Sequence, residues 1–248
     1  MVNKLLSFHG KQEIKDAHIR QLQMHFDADD IIQGIYWENG KGCDTGCSFH
    51  SSDHGNWPRL LGITRIIGHL RDRIFEGLPN AQAKLFPLAC SNATPVGVNL
   101  DNVWRRFFIW LLVDDAEGVI KYAKNEDGRK AIQNIANAFT QSLEGDVSYE
   151  EWMKLKSAAE AAADAAYAAE AYAAAAAAYA AAAAAYAVEA YAAAAADAYT
   201  ADAAAADAEA YAAADAAAAA ADARRLAARN RKYIKMSEML IQLLKEAA

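Results

Sequence analysis

The spacing of apolar residues in the first 157 positions follows the 3.6-residue period of amphipathic helices. Apolar and histidine side chains recur at three- and four-residue steps over residues 11–32, which predicts a first helix there. Pro58 suits the first turn of the next helix, which we expect to reach about Phe75 and to stop before Gly77 and Pro79.

More helices are predicted before the chain changes character. They are 80–86, 103–113 with Asp101 as N-cap, and 117–143 with an interruption near 125–128. Residues 38–56 are expected to form a loop, and the stretch through Pro87 and Pro95 is expected to be irregular. No segment is convincing as a strand, so the predicted fold class is all-α.

Residues 158–223 are almost entirely alanine, with seven tyrosines and ten acids and without Lys, Arg, Gly or Pro. Alanine has the highest helix propensity, and Ser148 with Glu151 forms a capping box where the chain enters this tract. A single helix over 148–247 would be about 150 Å long. We therefore expect a hairpin, a bundle or pairing between subunits, with a bend near residues 200–202.

Residues 224–248 return to an amphipathic pattern and carry a net charge of +5, against −10 in the alanine tract. Pairing of this basic helix with the acidic tract is the simplest expectation. The predicted organisation is a helical head over 1–147, an alanine/tyrosine-rich tract over 148–223 and a basic amphipathic helix over 224–248.

Several partners and compartments are excluded or favoured by composition. The alanine tract has far fewer charges per unit length than duplex DNA, so we expect neither a nucleic-acid mimic nor binding to duplex nucleic acid. There is no apolar run long enough for a membrane span and no apolar core for a signal peptide. An odd number of cysteines, three, points to reduced thiols or a metal, and we expect a cytoplasmic protein. The tyrosine-bearing alanine faces predict a homo-oligomer.

The candidate chemistry lies in one short segment, where two thiols and two imidazoles have the order Cys-x3-Cys-x2-His-x3-His. Four such ligands suit tetrahedral zinc, although the spacing is tighter than in zinc fingers. The predicted metal ligands are Cys43, Cys47, His50 and His54.

The same segment has two other functional interpretations. Its three glycines could turn backbone amides towards an anion, next to cationic and aromatic side chains. The candidate ligand-binding residues are Lys41, His50, His54, Arg59 and Trp57, with Arg65 and Trp37 as further members. Alternatively, Cys47 or Cys43 is a nucleophile, with His50 or His54 as its base and Asp53 as the group that orients the base.

A purely structural interpretation stands beside these. Free cysteines are among the most buried residue types, so Cys43 and Cys47 could be small core residues. Ser51, Ser52 and Asp53 would then cap the following helix. The remaining histidines, which are His9, His18, His25 and His69, are expected in the core or on the surface and not as ligands.

Three stretches of the head resemble a family of uncharacterised bacterial and phage proteins. They are YWENGKGCDTGCSFHSSDHGNWPRLLGI, which contains the pattern GKGCxxGCxxHxxxH, then DRIFEGLPNAQAK and ATPVGVNLDNVW. The resemblance covers nearly all of residues 7–156, and members of this family end in an alanine-rich helix closed by a short amphipathic segment. The resemblance implies a phage or prophage setting and identifies no catalytic residue.

Two functional hypotheses follow. The first is a non-enzymatic phage-type binding protein, of use in counter-defence, that sequesters a host factor or a small nucleotide-like signal. The second is a small zinc- or cysteine-dependent hydrolase that uses the loop from Cys43 to His54. Zinc is the one cofactor that the sequence suggests.

Overall fold

The computed structural model describes residues 5–123, 125–145, 147, 148, 150, 151, 153–155, 157 and 202–248. The fold is all-α, with one small β-hairpin. The α-helices are α1 (Gln12–Asp27), α2 (Asp44–Phe49), α3 (Asn56–Leu61), α4 (Arg65–Gly77), α5 (Asn80–Ala93), α6 (Asp101–Val113), α7 (Glu126–Ser142) and α8 (Asp202–Glu246). Short 3-10 helices span Ser7–Gly10 and Val119–Tyr122, and the strands are β1 (Trp37–Glu38) and β2 (Lys41–Gly42).

The segment predicted as a loop contains both the hairpin and α2, so that prediction was wrong. Trp37 pairs with Gly42 in an antiparallel ladder. The turn residues Asn39 and Gly40 have φ values of 51° and 83°. A type I′ hairpin turn needs positive φ at both central positions, and an Asn-Gly pair supplies it at low cost.

The helix predicted from Pro58 to Phe75 is instead two helices, α3 and α4. Gly62 separates them with a φ of 60°, and a Cβ added there would lie 2.0 Å from the carbonyl oxygen of Leu6. Only glycine combines this left-handed backbone with so close an approach. The chain therefore turns between α3 and α4, which lets α4 run beside α2.

Other boundaries also differ from the prediction. Helix α5 continues through Pro87 to Ala93, where an irregular stretch was expected. Asp101 lies inside α6, and its backbone N–H donates to the side chain of Asn99 at 3.1 Å. The 3-10 helix at 119–122 replaces the start of the predicted 117–143 helix. The capping interaction predicted for Ser148 is confirmed, since its hydroxyl accepts from the backbone N–H of Glu151 at 3.1 Å.

Helix α8 connects the end of the alanine tract to the C-terminus without a break. Its last part packs against α4, α5 and α6. The expected pairing with the acidic tract concerns residues that lie mostly outside the described part of the chain. The buried residues of this face are Met236, Leu240, Leu243 and Leu244, and they belong to the same hydrophobic core as the head. The basic side chain of Lys232 lies over the Trp110 ring of the head at 4.8 Å. The helix runs through the predicted boundary at residue 224 without interruption.

Residues 158–201 lie outside the described part of the chain, and so do the predictions of their helicity, their bend near residue 200 and their self-association. None of the helices in the described part of the chain has the length and apolar character that a membrane span requires.

Candidate functional site

The three cysteines are free and buried in the core. The Sγ of Cys43 lies 3.8 Å from Oδ1 of Asp72, and that of Cys47 lies 3.3 Å from the carbonyl oxygen of Gly42. Burial raises the pKa of Cys47 and of Cys90 to about 12. Burial and the nearby Asp72 also raise the pKa of Cys43. The thiols are therefore protonated near neutral pH, and the expectation that Cys43 and Cys47 are core residues is confirmed.

The predicted zinc ligands do not surround a common point in the structure. These ligands are Cys43, Cys47, His50 and His54. The imidazole of His54 contacts Asp72, whereas that of His50 contacts His25. Across the described residues, no group of three or more His, Cys, Asp or Glu side chains is placed to hold a metal ion. The geometry gives the zinc hypothesis no support, because two of its ligands are protonated thiols held in the core.

The residues predicted to bind an anion lie in separate environments. The predicted residues are Lys41, His50, His54, Arg59 and Trp57. The prediction was wrong for Trp57, which is fully buried and donates from its ring N–H to Oγ1 of Thr45 at 3.0 Å. It cannot stack on a ligand. Lys41 lies 3.8 Å from a carboxylate oxygen of Asp30, and Arg59 donates to the side chain of Asn56.

The glycines of this segment serve packing. A Cβ added to Gly46 would lie 1.5 Å from the carbonyl oxygen of Tyr36, so a side chain there would collide with the chain just before β1. A Cβ added to Gly42 would lie 2.0 Å from the same carbonyl oxygen. These positions allow α2 and the hairpin to approach closely and do not form an anion-binding loop.

A buried ion pair joins α2 to α4. The guanidinium of Arg71 donates two hydrogen bonds to the carboxylate of Asp44, at 2.7 and 2.9 Å, and both side chains are at most 1% exposed. Burial acts to lower the pKa of Arg71, but Asp44 opposes this and the net shift is upward. Burial raises the pKa of Asp44 while Arg71 opposes the rise. The bidentate geometry favours the ionised pair.

The carboxylate of Asp72, the next residue of α4, accepts a set of hydrogen bonds beside this pair. Its Oδ1 accepts from the backbone N–H of Thr45 at 3.3 Å and from its hydroxyl at 2.9 Å. Its Oδ2 contacts Nε2 of His54. The ring of His54 stacks on that of His69, with 4.0 Å between the centroids. Asp72 is thus fixed in position by Thr45 and His54, and the thiol of Cys43 lies 3.8 Å from its Oδ1.

An open cavity of about 300 Å³ lies over Asp72, between α4 and the segment before β1. It is lined by Gly34, Ile35, Tyr36, His69, Asp72, Arg73 and Glu76. Oε2 of Glu76 accepts from the backbone N–H of Gly34 at 2.9 Å, and burial raises the pKa of Glu76. Burial, together with the charge of His54, lowers the pKa of His69, so this imidazole is neutral near pH 7.

The cysteine-nucleophile hypothesis does not match this arrangement. Asp53, predicted to orient the base, instead accepts from the backbone N–H of Gly55 at 2.7 Å and closes a local turn. Asp72 contacts His54 in its place. The thiol of Cys43 and the hydroxyl of Thr45 both donate to Asp72 and are buried, so neither is free to attack a substrate.

Sequence reasoning missed the residues that organise the site, above all Asp44, Arg71 and Asp72. A signal was present in α4, where the two charged residues follow Ile67 and Leu70 on the apolar side of an amphipathic helix. Charges on such a face are buried only when they are paired. Their partners in α2 are 27 positions away, and no local spacing reveals them.

Comparison of the chain with family models, with curated proteins and with solved structures finds no match.

Proposed function

We propose that this is a non-enzymatic binding protein and that its site is the cavity over Asp72. The observation that carries the proposal is the lining of a cavity of about 300 Å³ by two carboxylates, one guanidinium and one exposed aromatic ring. This volume lies at the lower end of the range for small-molecule sites, about 300–1,000 Å³.

The lining suggests a small nucleotide-like ligand. The carboxylates of Asp72 and Glu76 can accept hydrogen bonds from ring N–H groups, and Tyr36 is half exposed and can stack on a base. Such stacking is worth about 1–3 kcal/mol. Arg73 has no ion-pair partner among the described residues and can bind a phosphate. Tyr36 and Arg73 take the roles that the sequence suggested for Trp57 and Lys41.

Two further parts of the proposal rest on the sequence. The resemblance to bacterial and phage proteins supports a role in the host cytoplasm, in counter-defence, where a binding protein removes a signal or occupies a host factor. The alanine/tyrosine tract supports a homo-oligomer, which light scattering at micromolar concentration tests directly. A cysteine-dependent hydrolase is disfavoured by the protonated, buried thiols.

The test is a panel of nucleoside monophosphates and cyclic dinucleotides, screened by thermal shift and then by isothermal titration calorimetry. We expect a member of the panel to bind, and Arg73→Ala and Glu76→Gln to weaken its binding at least tenfold. Arg59→Ala is the matched control, since Arg59 is exposed and lies outside the cavity. Equal affinities for the cavity variants and the control would refute this site, and no binding by any member would refute the ligand class.

A further inference from the structure

The polar wall of the cavity is formed by one face of α4. Four side chains spaced three and four residues apart line it, and they are His69, Asp72, Arg73 and Glu76. The lowered pKa of His69 keeps its ring neutral near pH 7, so the lining holds two negative charges and one positive charge. Because this balance repels a ligand with several phosphate groups, the cavity favours a nucleoside or a nucleoside monophosphate.

The two carboxylates of this wall are not equally free to bind a ligand. Both oxygens of Asp72 are engaged, Oδ1 by Thr45 and Oδ2 by His54, and its side chain is only 11% exposed. Glu76 is exposed, and it accepts one hydrogen bond from the described residues, from the backbone N–H of Gly34 to its Oε2 at 2.9 Å. An ionised carboxylate offers about four acceptor positions. Glu76 is therefore the carboxylate that can receive two further donors.

Glu76 and Tyr36 are held in place on opposite sides of the same cavity, on α4 and on the segment before β1. The hydrogen bond from Gly34 fixes the carboxylate and favours its ionised form. The ring of Tyr36 is half exposed and meets the ring of His54 edge-on, with 5.7 Å between the centroids. A flat base stacked on Tyr36 can thus present its edge to Glu76.

We propose that the cavity selects guanine among the common bases, as guanosine or its monophosphate, and that Glu76 determines this specificity. Guanine is the common base whose edge carries two adjacent donors, N1–H and N2–H, which fit the two oxygens of one carboxylate. In adenine and cytosine the amino group stands beside a ring-nitrogen lone pair, which a carboxylate oxygen repels. In uracil the ring N–H stands between two carbonyl oxygens. The inference rests on the proposed function and narrows its ligand class.

The experiment is isothermal titration calorimetry of the full chain with guanosine, inosine and adenosine monophosphates. The guanosine and inosine compounds differ only in the 2-amino group, so their comparison isolates one hydrogen bond to the carboxylate. We expect guanosine monophosphate to bind at least about tenfold more tightly than either of the others, because hydrogen bonds to charged groups are the strong ones. This comparison needs no variant.

The variant Glu76→Gln tests the assignment of the residue. The amide of glutamine offers one acceptor and one donor, so it loses one contact with guanine and suits the donor–acceptor edge of adenine. The affinity for guanosine monophosphate should fall at least about tenfold, while that for adenosine monophosphate stays the same or rises. A merely structural role of Glu76 would weaken both equally. Glu38→Gln is the matched control, since Glu38 is exposed and lies outside the cavity, and it should change neither affinity.

The outcomes separate this inference from the proposed function. Binding of all three monophosphates with equal affinity would overturn the guanine specificity and leave the nucleotide site standing. An equal loss of affinity for guanosine and adenosine monophosphates in Glu76→Gln would overturn the role of Glu76. Absence of binding by all three compounds would overturn the proposed ligand class and this inference with it.

Discussion

Replacement of Arg71 by methionine tests whether the buried ion pair holds α2 against α4. Methionine keeps most of the apolar stem that lies over the Trp57 ring, where the guanidinium carbon is 4.6 Å from the ring centre. It removes both hydrogen bonds to Asp44 and those to the carbonyl oxygen of Pro87 and the hydroxyl of Ser91, at 3.2 and 3.3 Å. The carboxylate of Asp44, fully buried, loses its counter-charge.

Removal of one partner of a buried pair costs about 3–5 kcal/mol, because the other charge stays buried without compensation. In a chain of 248 residues this corresponds to a fall in Tm of roughly 6–20 °C. The loss of unfolding free energy in the variant, relative to the wild type, should become smaller as the pH falls. Unpaired Asp44 has a raised folded-state pKa, so the folded variant takes up a proton at a higher pH than the unfolded chain and gains relative stability as pH falls.

Urea unfolding followed by circular dichroism at pH 7 and pH 4.5 measures these differences. The double variant Asp44→Leu/Arg71→Met is the control, because it removes both charges. It should be more stable than Arg71→Met alone, since replacing both partners is far less costly than breaking the pair. If Arg71→Met unfolds within about 1 kcal/mol of the wild type, the pair is not a main contact between these helices.

Two further predictions concern other buried groups. The three thiols should react with a disulfide reagent at pH 8 only after unfolding, because burial raises their pKa. The prediction fails if a thiol of the native protein reacts as fast as a cysteine in a free peptide. Burial, reinforced by Arg71, lowers the pKa of His18 to about 3, below its unfolded value, so the folded state loses stability as pH falls from about 6.5 towards 3. Between pH 7 and pH 4, the free energy of unfolding measured in urea should fall by roughly 3 kcal/mol more in the wild type than in His18→Gln. Equal decreases would show that His18 is not buried as a neutral ring.

The helices of the head could be predicted because their apolar residues repeat with a helical period, but the breaks between them depend on single residues. Gly62 ends α3 through a left-handed backbone that sequence periodicity does not register. Pro87 was expected to stop α5, yet the helix continues. Phe86 and Cys90, on either side of the proline, share a buried face, and their burial outweighs the local cost of proline.

The small hairpin had a local signal that was overlooked. Asn39-Gly40 is a strong short-range hairpin signal, and here it joins two strands of only two residues each. Because the strands are so short, alternation of apolar and polar residues could not reveal them. The hairpin nevertheless matters for the candidate site, since its first strand begins directly after Tyr36, which lines the cavity.

The candidate site was hidden from the sequence because its contacts join two helices rather than neighbours in one segment. Asp44 pairs with Arg71, and the next residue of α2, Thr45, donates a hydrogen bond to the next residue of α4, Asp72. Two successive residues of α2 thus meet two successive residues of α4. Neighbouring residues on a helix point about 100° apart. Arg71 can therefore enter the core while Asp72 reaches the cavity wall. Ligand affinity and stability should consequently be coupled through α4, because the helix that the ion pair anchors also carries the carboxylate that faces the cavity.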